Sequence, residues 1–370
     1  MALICCFPAS IRSHCPDCPL GPERRIPLSD SNSPDSVSSN NSARNLPANL
    51  SGKRVLITGG TGTTGKILTR WLLDETDAEE IIIYSRDEQK HHELQLDPAN
   101  DPARVRSIIG DIRDLDQLRF AMKGVSLVFH TAAMKHVHLA EQHPVEAHKT
   151  NVLGTRHVIE TALSEKVSRV IASSTDKAVD PINVYGNTKF MMELELMKAD
   201  REKAGNTRFD VIRHGNLLGS KGSVVPLFIE QAKKGCLTLT YPAMTRFWIG
   251  RDSLLDSFHH CLHQSEGGET IIPRSPSCRI DVLACAIDEA VDQEVTGIRP
   301  GEKQHELLTS LQECPLMTDC GDHLIVRSPS ASASMRGEAV AEDFQLRSDL
   351  APQLTIQEMR ELLIAEGWLP

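Results

Sequence analysis

From about residue 53 onward, short runs of branched apolar residues alternate with longer stretches in which apolar positions recur every three or four residues. "RVLIT" (54–58), "EIIIYS" (80–85), "VRSIIGD" (105–111), "SLVFHTA" (126–132), "VSRVIASST" (167–175) and "FDVIRHGN" (209–216) read as six strands. "KILTRWLLDE" (66–75) and "PVEAHKTNVLGTRHVIETALSE" (144–165) read as helices between them. Strands that are apolar throughout, separated by helices, predict an α/β fold with a doubly wound parallel sheet covered on both faces. After about Gly222 the alternation fails. "SVVPLFIEQAKKG", "MTRFWI" and "GIRPGEKQHELL" then predict a smaller C-terminal substrate-binding lobe built from separated segments. Residues 315–350 carry little pattern, with "SPSASASMRGEAVAED" reading as a loop, while "TIQEMRELLIAEG" predicts a closing helix with Thr355 and Glu358 in capping-box spacing. The expected organisation is a leader (1–50), a cofactor domain carrying the chemistry (51–221), a lobe (222–312), a loop-rich segment (313–350) and a C-terminal helix (351–370).

Composition changes this picture at the start of the chain. "SDSNSPDSVSSNNSARNLPANL" is Ser, Asn and Pro with few branched apolar or aromatic residues, so the leader is expected to stay unfolded. Its first residues lack a basic segment followed by an apolar run, and no stretch has the roughly 18 apolar residues that span a bilayer. A cytoplasmic protein with no membrane insertion is expected, its ten cysteines reduced. A net charge of -10 argues against nucleic acid as a partner, so an anionic ligand must be met by local cations. Two clusters resemble metal sites: Cys5, Cys6, Cys15 and Cys18, and the histidines around His136 and His260. Neither has a zinc-like ligand spacing, and no metal is expected.

"TGGTGTTG" follows the first strand and opens the first helix. Gly59, Gly62 and Gly65, with Thr63 and Thr64 between them, fit a loop in which glycines let backbone amides and a helix N-terminus approach a pyrophosphate. That context makes the fold Rossmann-type. The second strand ends at Ser85 and Arg86, with Lys90 close behind, where an NAD enzyme usually carries an acid for the ribose. A guanidinium there pairs with a 2'-phosphate and predicts NADP, although Asp87 leaves NAD open. Asp111 and Ile112 close the third strand beside the adenine, and Ala132 and Ala133 at the end of the fourth leave room for the cofactor.

Tyr185 and Lys189 are four residues apart and share a helix face. An ammonium beside a phenol lowers the phenol's pKa and makes it a usable base. Downstream of a cofactor loop, this spacing marks a tyrosine-dependent oxidoreductase core. The fifth strand ends in Ser173, Ser174 and Thr175, candidates to bond the reacting oxygen. Asp176 and Lys177 follow, an acid and a base that hydride transfer alone does not need; a surface ion pair is the other reading.

Taken in order, "TGGTGTTG", "YSRDE", "GDIRD", "AAMKHV", "STDKAVDPINVYGNTK", "GNLLGSKGSVVP", "MTRFW" and "IRPGEK" resemble the UDP-N-acetylglucosamine 4,6-dehydratases, extended relatives of the short-chain dehydrogenases. The short inverting kind that begins pseudaminic acid synthesis is the nearest match. The resemblance spans about residues 51–312 and departs at His214, where tyrosine is usual, and at Asn187, where alanine is usual. It implies that Tyr185 takes the proton of the sugar 4-hydroxyl during oxidation by NADP, that Lys177 removes the proton at carbon 5, and that Asp176 protonates the departing 6-hydroxyl. Lys177 would have to be neutral, which burial and Lys189 could favour. The resemblance also implies that Lys135 touches substrate or cofactor, and that Asn216, Val224, Thr245, Arg246, Arg299 and Glu302 line the UDP side, the two arginines holding the diphosphate. A homo-oligomer is implied as well. A retaining dehydratase, a 4-epimerase and a non-catalytic NADP-binding scaffold are the alternatives.

Overall fold

The computed structural model describes residues 49–202, 206–328 and 336–370. The leader, with Cys5, Cys6, Cys15 and Cys18, lies outside the described residues apart from its last two positions.

The six expected strands are β1 (Arg54–Thr58), β2 (Glu80–Ser85), β3 (Val105–Ile109), β4 (Leu127–His130), β5 (Arg169–Thr175) and β6 (Arg208–His214). All pair in parallel, in the order β3-β2-β1-β4-β5-β6. Chain order reverses between β1 and β4, and a crevice opens there at the carboxyl ends of the strands. Alternate side chains point to opposite faces. Val55, Ile57, Ile83, Phe129 and Ile171 pack on Leu68 and Leu72 of helix Thr63–Glu75 and on Phe258 of helix Arg251–His263. Leu56, Ile82, Val128, Val170 and Val211 pack on Leu118 of helix Leu115–Met122, Val158 of helix Gly154–Ser164 and Leu196 of helix Val184–Glu202. Burial on both faces is why these strands read as unbroken apolar runs.

Two elements differ from the sequence reading. The helix expected over 144–165 is Pro144–His148, a π-helical turn Lys149–Leu153, and Gly154–Ser164. The wider turn brings Asn151 inward: its Oδ1 accepts from Met134 N at 2.8 Å, and its Nδ2 donates to Met134 O at 3.1 Å and Thr188 Oγ1 at 2.9 Å. One side chain thus ties the loop after β4 to helix Val184–Glu202. The second difference is the segment expected to be loop-rich. His323–Arg327 runs antiparallel to Glu269–Pro273, which itself pairs with β6, and Met317–Asp319 follows outside it. These strands are short and turn through Gly321 at φ +85°, so they carry little periodicity of their own. The loop expected over residues 328–343 lies partly outside the described residues.

The lobe has its own core, in which Phe228, Leu237, Trp248 and Leu283 meet Met359 and Leu363 of the closing helix Ile356–Ala365. That helix starts with the expected capping box between Thr355 and Glu358. Among the described residues no helix is long and apolar enough to cross a membrane.

Candidate active site

A cleft of about 1660 Å³ runs along the carboxyl ends of the strands and under the lobe. It exceeds the roughly 300–1,000 Å³ of a site for one small ligand, and its length suits a dinucleotide and a second nucleotide end to end.

At the β1 end, Gly59 has φ +69° and lies so close to β4 that a Cβ would stand 2.8 Å from Ala132 Cα. Only glycine fits there. Gly65 does not line the cleft; a side chain on it would overlap the Gly60 backbone, so it serves helix packing. Gly62, Thr63, Thr64, Ala132 and Ala133 line the wall. This cradle of close backbone at a helix N-terminus fits a dinucleotide pyrophosphate.

The Ser85 hydroxyl lies 2.8 Å from Thr61 Oγ1 and 2.9 Å from His91 Nε2. Arg86 reaches into the cleft, 3.8 Å from Asp111 Oδ2. Asp87, which left NAD open, caps helix Glu88–Leu96 by accepting from Lys90 N, and pairs with Lys90 Nζ at 2.6 Å. Asp111 and Ile112 line the adenine end. Burial would raise the Asp111 pKa, but hydrogen bonds from Arg113 hold it below the usual carboxylate range. Lys135 Nζ donates to Lys221 O at 2.9 Å, and Lys221 N donates to Thr63 Oγ1 at 3.1 Å, so the loop at Lys221 is tied to the cradle and to the segment after β4.

At the β5 end the strand runs directly into a 3-10 turn, Asp176–Ala178, opposite the first turn of helix Val184–Glu202. Thr175, Lys177, Tyr185 and Lys189 line the cleft; Asp176 is fully buried behind them. Thr175 Oγ1 donates to Asp176 Oδ1 at 2.7 Å, and Lys177 Nζ stands 3.0 Å from the same oxygen. On its other side Lys177 Nζ meets Glu306 Oε1 at 3.3 Å and Asn216 Oδ1 at 3.5 Å.

The electrostatics correct the expectation of a neutral Lys177. Burial pushes its pKa down, but the Asp176 and Glu306 carboxylates outweigh burial and hold the side chain as an ammonium. Burial pushes the Tyr185 phenol up to about 12, opposed by the charge of Lys177 and by the Thr175 hydroxyl. Lys189, expected to tune the phenol, donates instead to Ser173 O at 2.7 Å, and burial lowers its pKa to about 8. The cation bearing on the tyrosine here is therefore Lys177. His214, which replaces the usual tyrosine, donates from Nδ1 to Gly215 O and takes the Ser173 hydroxyl at Nε2, 3.1 Å away.

On the nucleotide side Asn216, Val224, Arg246, Arg299 and Glu302 line the cleft, whereas Thr245 does not. The Thr245 hydroxyl is spent on His305 Nδ1 and Ser348 Oγ, at 2.8 and 2.6 Å. The buried Arg246 guanidinium donates to the carbonyls of Thr245, Lys303 and Gln304, so it clamps the "IRPGEK" loop and has fewer donors left for a diphosphate than expected. Arg299, with 63% of its side chain exposed and Glu302 at 3.7 Å, is the more open cation. Among the described residues no group of three His, Cys, Asp or Glu side chains is placed to hold a metal.

Sequence reasoning missed Asn151 and Glu306. A polar residue in the apolar helix "TNVLG" and an acid in "QHELL" were the available signals.

The reversed strand order, the glycine cradle and a tyrosine and lysine on one helix face at the β5 edge define an extended short-chain dehydrogenase/reductase. The chain belongs to the polysaccharide biosynthesis protein family, whose model matches residues 55–328. It is 40% identical over 320 residues to a protein of Campylobacter jejuni (strain 81-176) named UDP-N-acetylglucosamine 4,6-dehydratase (inverting), covering 82% of this chain and 95% of the relative. It is 38% identical over 329 residues to a Rickettsia massiliae protein named UDP-glucose 4-epimerase, covering 84% and 95%. The X-ray structure of Pen from Bacillus thuringiensis superposes with a TM-score of 0.80 at 34% identity, over 86% of this chain and 99% of that one.

Proposed function

We propose that this protein is an NADP-dependent dehydratase that removes water across carbons 5 and 6 of UDP-N-acetylglucosamine, leaves a ketone at carbon 4, inverts carbon 5, and supplies glycan synthesis. The observation that carries this reading is the Asp176–Lys177 pair beside Tyr185, with Lys177 on the cleft wall and Asp176 reached through Thr175. A 4-epimerase, the activity named for the Rickettsia relative, has no need of that pair.

The bound nicotinamide would supply reversible hydride transfer, taking a hydride from carbon 4 and returning it to carbon 6. Tyr185 accepts the 4-hydroxyl proton; its high resting pKa means that it works as a base only while Lys177 lends its charge. The carbon-4 ketone acidifies the hydrogen at carbon 5, and Lys177 takes that proton; when hydride returns to carbon 6, carbon 5 takes a solvent-derived proton on its opposite face, which inverts it. Asp176 has no surface on the cleft, so its proton reaches the departing 6-hydroxyl through the Thr175 hydroxyl, which is bonded to Asp176 Oδ1 and lines the wall. Arg299 holds the diphosphate, and Glu302 suits ribose hydroxyls.

The commitment of Asp87 to a helix cap and to Lys90, with Arg86 facing the cleft beside it, supports NADP over NAD. Arg86→Ala is expected to weaken NADPH binding by about tenfold or more, roughly 1.4 kcal/mol, with NADH affinity nearly unchanged. Calorimetric titration with both cofactors checks this, and equal losses for the two would contradict it. Incubation with UDP-N-acetylglucosamine followed by mass spectrometry tests the reaction class: loss of one water is expected, and a product of unchanged mass would sink the dehydratase reading.

A further inference from the structure

Lys177 stands between two carboxylates, and only one of them is its sequence neighbour. Glu306 is brought in from the lobe and is 2% exposed. Its place is fixed from outside the active site. Glu306 N donates to Ser348 Oγ at 2.8 Å, Ser348 N donates back to Glu306 O at 2.9 Å, and Leu307 bridges Arg347. The carboxylate meets Lys177 Nζ at 3.3 Å and Arg246 Nε at 3.8 Å, and its buried Oε2 finds no hydrogen-bond partner among the described residues. Asp176 Oδ2 is buried and unpartnered in the same way.

This arrangement bears on a difficulty in the proposed reaction, and the inference rests on that reading. The elimination needs a neutral Lys177 and a protonated Asp176, while the resting pair is ammonium and carboxylate. One proton moved from Lys177 Nζ to Asp176 provides both: an N–H bond breaks and an O–H bond forms. Once carbon 4 is a ketone, the free amine takes the carbon-5 proton and the carboxylic acid gives its proton to the leaving hydroxyl. The pair returns to ammonium and carboxylate, with no oxidant or outside acid consumed. When Asp176 becomes neutral, however, its attraction for Lys177 is lost.

We infer that Glu306 is a positioning residue for the elimination: its buried carboxylate anchors Lys177 from the lobe side, so that Asp176 can exchange a proton with the lysine without releasing it from the cleft wall. The charged and titratable groups facing Lys177 are Asp176, Glu306, Arg246, Tyr185, His214 and Lys303. Of these, Glu306 is the anion contributed by the lobe.

The test is the reactivity of Lys177 towards acetic anhydride at fixed pH, measured against exposed lysines by mass spectrometry in the full chain without substrate. Removing one carboxylate within about 4 Å lowers a lysine pKa by about one unit or more, so Glu306→Gln should raise Lys177 reactivity about tenfold. Glu306→Asp, which keeps the charge but withdraws it from Lys177 by one methylene, should raise reactivity only about twofold. Turnover of UDP-N-acetylglucosamine should fall in Glu306→Gln even as the amine becomes more reactive, a divergence that a merely structural role would not produce. Unchanged Lys177 reactivity in a folded Glu306→Gln protein overturns the inference. If Glu306→Gln does not fold, reactivity in Glu306→Asp decides: a rise of twofold or more supports the anchor, and none refutes it. Absence of turnover in the wild type would count against the dehydratase reading alone, since the labelling result stands without substrate.

Discussion

Replacing Lys177 with methionine is expected to slow dehydration of UDP-N-acetylglucosamine by about 10²–10⁴-fold while leaving NADPH affinity unchanged, since general-base catalysis contributes on that scale. Methionine keeps the length of the chain and removes the amine that faces the cleft. Lys177 belongs to the β5 end and the cofactor cradle to β1, β2 and β4, so cofactor titration should not register the change. The substitution also leaves Asp176 and Glu306 with Arg246 and Lys303 as their remaining cations. Asp176 should then take up a proton more readily, and some stability should be lost, which thermal melts of the variant would record. A variant that binds NADPH and still eliminates water at the wild-type rate would show that the carbon-5 proton goes elsewhere.

Arg213→Ala is expected to cost about 3–5 kcal/mol of stability, the scale for removing one partner of a buried ion pair. Arg213 keeps 4% of its side chain exposed and pairs with Glu193 at 2.6 Å and Glu313 at 2.8 Å, and it donates to Leu308 O at 3.1 Å. Glu193 lies one turn beyond Lys189 on the helix that carries the tyrosine, and it also bonds the Ser174 hydroxyl. Glu313 closes the capping box that starts the turn Leu311–Leu316. One guanidinium thus ties β6, the tyrosine helix and the C-terminal part of the chain together. Its loss strands the buried Glu193 carboxylate and the half-buried Glu313 carboxylate, as urea unfolding should show by a lower midpoint at unchanged slope. Replacing Glu193 as well, with glutamine, should recover part of the loss because one uncompensated charge goes with it. A single-variant cost below about 1 kcal/mol would mean that water reaches the triad and screens it.

The parts of the fold that were legible in the sequence are those whose burial is uniform. β1, β2, β4 and β5 are covered on both faces, so their apolar runs stand out without any knowledge of neighbours. His323–Arg327 owes its place in the sheet to Glu269–Pro273, and Met317–Asp319 pairs in turn with His323–Arg327, an arrangement that three to five residues of local pattern cannot announce. The π turn at Lys149–Leu153 was hidden for a related reason: the residues suit any helix, and the bonds of Asn151 to Met134 and Thr188 choose the wider turn.

The candidate site divides along the same line. Gly59, Arg86, Thr175, Lys177, Tyr185 and Lys189 sit at strand ends or on one helix face, so their spacing alone brings them to the cleft. The charge state of Lys177 was not legible, because it depends on Glu306, which arrives from the lobe and is held there by Ser348. Thr245 and Arg246 belong to a matching motif, yet their hydrogen bonds go to the protein: Thr245 to His305 and Ser348, Arg246 to the loop over the cleft.

The most direct measurement of the central claim is proton NMR of the product formed from UDP-N-acetylglucosamine in deuterated water. A dehydratase that inverts carbon 5 gives a 4-keto-6-deoxy sugar with deuterium at carbon 5 and the inverted configuration there. A product that keeps its 6-hydroxyl and its protium at carbon 5, differing from the substrate only at carbon 4, would contradict that claim.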